Sequence, residues 1–302
     1  MSDVHLASEA AAAPTAPGPT VLAPSSVWHR LRARPLFWVA ISLITLFVLM
    51  AAVPSLFTSV DPEDCNLSRS LVGPNGDHWL GTDVQGCDVY ARSVHATRAS
   101  LLIGLSVTVA TFLIGVLVGS VAGYFGGIVD AVLSRIIEIF LAIPLLLGAT
   151  VLLATAANGD GGVLGVIVAL SLYGWTQTAR IMRASTMETR GLDYIVAARA
   201  SGASDPRILL EHVIPNAISP VIVVATTNVG LFITYEATIS YLGLGLQDST
   251  LSWGQMIHDS VSRFLTSPHA LLAPAGFLSL AVLGVLLLGD AMRDAVDPRS
   301  RR

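Results

Sequence analysis

Apolar and polar residues alternate in long blocks along this chain, and the blocks set the architecture. A helix needs about 20 consecutive apolar residues to cross the hydrocarbon core of a bilayer. Residues 36–57 form such a run without a single charge. The run is too long for a signal peptide, and no small-residue cleavage site follows it, which predicts a retained first span. Residues 100–123 predict the second, rich in the Gly, Ser and Thr that let helices approach closely in lipid. Residues 128–157 predict the third, with Asp130, Arg135 and Glu138 confined to its first part. Residues 163–182, 218–244 and 271–288 predict the fourth, fifth and sixth. The fold class that follows is all-α: a polytopic membrane protein of six transmembrane helices.

Composition agrees with that pattern. Of 302 residues, 53% are hydrophobic and 13% charged, whereas a soluble domain carries about 25% charged residues. The mean hydropathy is +0.69. The 17 basic residues are all Arg. A phosphate-binding loop needs a Lys after its glycines, so ATP chemistry falls to a partner. Arg30, Arg32 and Arg34 precede the first span, which places the N-terminus in the cytoplasm by the positive-inside rule. Six spans then leave Arg69, Arg92, Arg98 and Arg263 on the outside and every other Arg on the cytoplasmic side. The domain reading is a cytoplasmic tail, 1–35, and a transmembrane domain, 36–302. The first 27 residues, mostly Ala, Pro, Ser and Thr, have too little apolar surface to fold. Residues 58–99 are read as extracytoplasmic and 184–216 as a cytoplasmic loop.

Within that loop lies a polar, helix-forming island, 193–216. Gly202 fits the left-handed position after a helix. Asp205-Pro206 reads as the N-cap and first residue of a second short helix, whose apolar Ile208, Leu209 and Val213 are interspersed with Arg207, Glu211 and His212. Two short helices at an angle make a knob on one membrane face. Composition alone is equally consistent with a solvated connection. The pattern Ala197-Ala198-x-x-x-Gly202, followed by Ile214-Pro215, resembles the "EAA" loop of ABC importer permeases, with Val196 where that family has Glu. The resemblance implies a type I importer permease fold and makes the knob the socket for a cytoplasmic ATPase. It assigns coupling to Ala197, Ala198, Gly202, Ser204, Asp205, Pro206, Arg207, Glu211 and Pro215.

Four further segments resemble the DppC/OppC branch of di- and oligopeptide permeases. They are His78-Trp-Leu-Gly-Thr-Asp-Val-Gln-Gly-Cys-Asp88, Tyr124-Phe-Gly-Gly-x-x-Asp130, Ser240-Tyr-Leu-Gly-Leu-Gly245 and Gly289-Asp-Ala-Met-Arg-Asp-Ala-Val-Asp-Pro298. Cys87 stands where the branch usually has Arg. The resemblance implies a second, DppB/OppB-like permease subunit, two ATPase subunits that bind ATP and Mg, an extracytoplasmic peptide-binding protein and a multi-pass place in a bacterial plasma membrane. It implies no cofactor in this chain and no catalysis by it. Nickel importers share nearly the same motifs and give the alternative substrate.

Three features have two readings each. His78, Asp83 and Asp88 lack the spacing of a metal site, and a structural loop is the preferred reading. Cys65 and Cys87, the only cysteines, lie in the same outer segment, where thiols pair readily and only one intrachain bond is possible. Glu236 falls inside the fifth span, where an ionisable group is costly unless it faces a partner or a cavity; it either lines the translocation path or fixes helix packing. A proton-coupled carrier would rest on Glu236 alone. An intramembrane enzyme would need paired catalytic groups inside spans, and on these boundaries no His falls within one.

Overall fold

The computed structural model describes residues 28–29, 31–32, 34–156, 161–246 and 250–296. The expected tail therefore lies almost wholly outside the described residues, as do Asp297 and Pro298 of the last motif. Long helices dominate: α1 (Pro35–Ala52), α2 (Val89–Phe125), α3 (Gly127–Leu141), α4 (Leu145–Ala156), α5 (Gly162–Thr189), α6 (Asp193–Ala200), α7 (Asp205–Ile208), α8 (Ile214–Ala217), α9 (Ser219–Tyr241), α10 (Trp253–Val261) and α11 (His269–Val296). Among the described residues, α1, α2, α5, α9 and α11 are each long and apolar enough to cross a membrane. Those spans follow from their apolar runs, but several boundaries moved. Helix α1 stops at Ala52 because Pro54 follows and biases Val53 away from helical backbone. Helix α2 begins at Val89 rather than residue 100, since the Asp88 side chain caps it by accepting from the Ala91 N–H at 2.7 Å. Residues 89–99, expected as outer loop, are thus the first turns of the helix, and His95 lies on it. Its ring bonds the Ala91 carbonyl at 2.9 Å.

The third expected span is not one straight helix. Helices α3 and α4 meet at a bend of 76° across Ala142, Ile143 and Pro144. Pro144 has no N–H to give the ladder, and its ring crowds the residue before it out of helical backbone. The hydropathy of 128–157 carries no sign of a bend, because apolar residues fill both arms. Taken as one broken span, the pair brings the total to six.

Helices α2 and α9 form the centre. Ile103 and Val107 of α2 pack with Phe232 and Ile239 of α9 and with α4 and α5 on one flank. On the other flank, Phe47 of α1 and Ala281 of α11 pack around Ile233 and Trp253. The contact between α2 and α5 depends on Gly115, Gly119 and Gly123, one per helical turn. A Cβ on Gly119 would stand 2.4 Å from the Ala179 carbonyl oxygen, and one on Gly123 would stand 2.7 Å from the Arg183 oxygen. Small residues let the two backbones touch, which is how helices associate tightly in lipid. Near this contact Asp130 of α3 accepts two hydrogen bonds from the Arg183 guanidinium of α5, a fork geometry that fixes orientation. At the far ends of the flank, Arg34 and Asp294 form an ion pair between the first turn of α1 and the last of α11.

Candidate functional site

The polar island folds into a knob with defined joints. Helix α6 ends in a Schellman turn: the Gly202 N–H bonds the Arg199 carbonyl at 3.0 Å and the Ala203 N–H bonds the Ala198 carbonyl at 3.2 Å. Gly202 takes φ +84°, and nothing lies within 4 Å of where its Cβ would be. Glycine is required there by backbone conformation and not by space. Ala197 and Ala198 supply the turn before it.

Ser204, not Asp205, is the N-cap of α7; Asp205 and Pro206 are its first two helical residues. The Asp205 carboxylate is engaged elsewhere. It accepts from the Tyr124 hydroxyl at 2.6 Å, and Arg199 both donates to that hydroxyl at 3.1 Å and approaches Asp205 at 3.7 Å. These charge-assisted contacts join the knob to the end of α2. Arg190 completes the joint by donating to the Gly123 and Tyr124 carbonyls at 2.8 and 2.9 Å, a cation at the C-terminal end of a helix. Beneath the triad, Ile195, Ile208, Leu209 and Val213 are buried against Tyr124.

Beyond α7 the backbone widens into a π-helical turn, Leu209–Val213, before α8. Pro215 accounts for it: the ring cannot donate to the carbonyl four residues back and would clash with it, and a wider turn relieves both faults. The solvent face of the knob carries Val196, Leu210, Arg207 and Glu211. Arg207 donates to Glu211 at 2.9 Å, and this hydrogen bond holds the Glu211 carboxyl below its usual range.

At the opposite end of the bundle, residues 65–92 form a second ordered site. The sulfurs of Cys65 and Cys87 are joined. Gly86 takes φ +76°, and a Cβ there would stand 1.9 Å from the Asn66 carbonyl oxygen; the turn next to the disulfide leaves room for glycine alone. The Asp83 carboxylate accepts from the Gln85 and Cys87 N–H groups at 2.9 and 3.0 Å and from Arg92 at 2.6 Å. His78 pairs with Asp88 at 2.8 Å. His78, Asp83 and Asp88 thus each have a structural partner. The 22-residue separation makes the bond worth about 3 kcal/mol on chain-entropy grounds. In intact cells an impermeant maleimide is expected to label the chain only after reduction, first at exposed Cys65. Labelling of both cysteines before reduction would rule the bond out.

Glu236 sits between these two ends, fully buried. Ser100 of α2 donates to one carboxylate oxygen at 3.2 Å and Ser240 to the other at 2.9 Å, and Ser252 also faces the group. None of the described cavities is lined by it. Ser252 is the N-cap of α10, accepting from the Gln255 N–H at 3.2 Å, and the buried Trp253 donates to the Ser93 carbonyl at 3.0 Å. Helix α10 was missed in the sequence, although Ser252-x-x-Gln255 is a capping-box signature. The Tyr124–Asp205–Arg199 triad was not legible either, because Tyr124 lies 81 positions before Asp205.

Comparison with known proteins places these features in context. Residues 115–302 match the family described as "Binding-protein-dependent transport system inner membrane component", and residues 25–74 match the "N-terminal TM domain of oligopeptide transport permease C". The oligopeptide transport system permease protein OppC of Bacillus subtilis is 35% identical over 281 residues, 92% of this chain and 91% of its own. The dipeptide transport system permease protein DppC of the same organism is 34% identical over 94% of this chain and 88% of its own. The nickel transport system permease protein NikC of Escherichia coli is 32% identical over 86% and 92%. A solved chain of the MetNI methionine ABC transporter, inward facing, superposes with a TM-score of 0.56 at 21% identity, covering 68% of this chain and 97% of its own.

Proposed function

We propose a role from one settled premise: the chain belongs to the family of binding-protein-dependent transport inner membrane components, alongside oligopeptide and dipeptide permeases. The role is that of the membrane-spanning permease subunit of an ATP-driven importer for di- and oligopeptides, forming half of the translocation path. The observation that carries it is the knob: a glycine-turned pair of short helices, pinned by Tyr124, Asp205 and Arg199 and continuous through α8 with α9. A push on its exposed face has two exits, one through Asp205 and Tyr124 into α2 and one through Pro215 into α9.

In this reading the knob faces the cytoplasm, the disulfide-bonded segment faces outward toward a peptide-binding protein, and both termini are cytoplasmic, following the Arg distribution. ATP and Mg belong to two partner ATPase subunits, and a second permease subunit supplies the other half of the path. ATP binding closes the ATPase pair, the knobs move, and the spans open to the binding protein. Nickel is the second reading, supported by the NikC relative.

The test is uptake by the complete transporter reconstituted in vesicles, with labelled peptides and nickel compared side by side. ATP-dependent peptide uptake that survives an uncoupler is the expected result. Uptake abolished by the uncoupler at constant ATP would refute an ATP-driven importer.

A further inference from the structure

The bend between α3 and α4 opens a cavity of about 200 Å³. Pro144 forms part of its wall, and Tyr173, Thr176, Gln177, Asn228 and Tyr235 line it from α5 and α9. Gln177 and Asn228 both fall near the middle of their spans, Gly162–Thr189 and Ser219–Tyr241, which puts the cavity near half-depth in a bilayer. Asn228 is 6% exposed and Gln177 is exposed on the open side of the cavity, and no hydrogen bond joins either side-chain amide to another described residue. On α9 the neighbouring hydroxyls of Thr226, Thr227 and Thr234 each bond a carbonyl of their own helix. A polar group kept unpaired at this depth is costly unless something comes to it. The break itself adds an acceptor to the lining, because the Ile143 carbonyl takes no backbone hydrogen bond from described residues.

We propose that this cavity is a contact station for the transported peptide, where the amides of Gln177 and Asn228 hydrogen-bond its main chain. The proposal rests on the peptide reading above. A side-chain amide offers one acceptor and two donors, the complement of the N–H and C=O that a peptide group must keep satisfied while it crosses an apolar layer. No charged side chain lines the cavity, so it does not read termini or charged residues; it reads the one group that all peptides share. The same lining has no His, Cys, Asp or Glu to ligate a nickel ion. Tyr173 and Tyr235 add flat surfaces that accept side chains of varied shape.

The complete transporter in vesicles provides the test. Replacing either amide by an apolar side chain of similar size, Asn228→Leu or Gln177→Leu, is expected to lower the peptide imported per ATP hydrolysed about tenfold. An unchanged ratio in both variants would overturn the proposal. A second measurement covers the case in which Asn228→Leu does not assemble. The two native cysteines are bonded to each other, so Gln177→Cys adds the single free thiol of this chain. A peptide carrying a bromoacetyl group is expected to alkylate it during ATP-driven uptake, and faster than it alkylates Leu283→Cys on the exposed face of α11. Equal labelling at 177 and 283 would place the path elsewhere. Wild-type vesicles that import nickel and no peptide would instead remove the peptide reading itself.

Discussion

Gly202→Val is expected to assemble in the membrane, lose most of its ATPase partners on purification and import peptide at a small fraction of the wild-type rate. The left-handed backbone at Gly202 costs a side-chain-bearing residue about 1–2 kcal/mol, and a β-branched one is the least tolerant. Because nothing stands within 4 Å of the added Cβ, the whole penalty falls on the turn that sets the angle between α6 and α7. That turn also presents Ala198 and Arg199, and Arg199 is one arm of the triad with Tyr124. Relaxing the backbone therefore unpins the knob from α2 as well. Gly202→Asn provides the control, since Asn visits left-handed backbone readily, and it should retain uptake. Full uptake and ATPase co-purification by the Val variant would show that the knob is not the docking element.

Glu236→Leu is expected to lower the thermal midpoint and the yield of assembled transporter, whereas Glu236→Gln should leave both, and uptake, close to wild type. The carboxylate is where hydroxyls from Ser100 and Ser240 converge, and both serines are fully buried. Leucine fills comparable space but accepts nothing, and each buried hydroxyl left without a partner costs about 1–3 kcal/mol. Glutamine keeps an oxygen for one donor and an amide for the other, which can reorient to accept or donate in turn. The loss in the Leu variant concentrates where α2, α9 and the start of α10 meet, so α10 should be the first element to loosen. Uptake lost in Glu236→Gln at unchanged stability would return this residue to the path.

The spans were legible because lipid demands long apolar helices and the sequence meets that demand in plain blocks. Gly202 was legible for a local reason: a Schellman turn needs a glycine just there, and its hydrogen bonds reach only a few residues. The bend at Pro144 was harder, since a single proline inside an apolar run is tolerated in membrane helices and does not by itself announce 76°. Asp205 shows the opposite failure. Its position beside Pro206 looks like a cap, and local rules assign it so, but a tyrosine 81 positions earlier claims the carboxylate. Gln177 and Asn228 were not legible because neither side chain ionises, although an amide at that depth makes a similar demand for a partner.

The widened turn at Leu209–Val213 makes the joint between knob and α9 a screw rather than a rod. An α-helix transmits an axial push without turning. A π turn holds an extra residue's worth of backbone, which leaves everything beyond it about 100° round and about 1.5 Å along the axis from where an unbroken α-helix would put it. Asn228 stands beyond that offset. One turn, kept wide by Pro215, therefore sets which way the thread of α9 presents its amide.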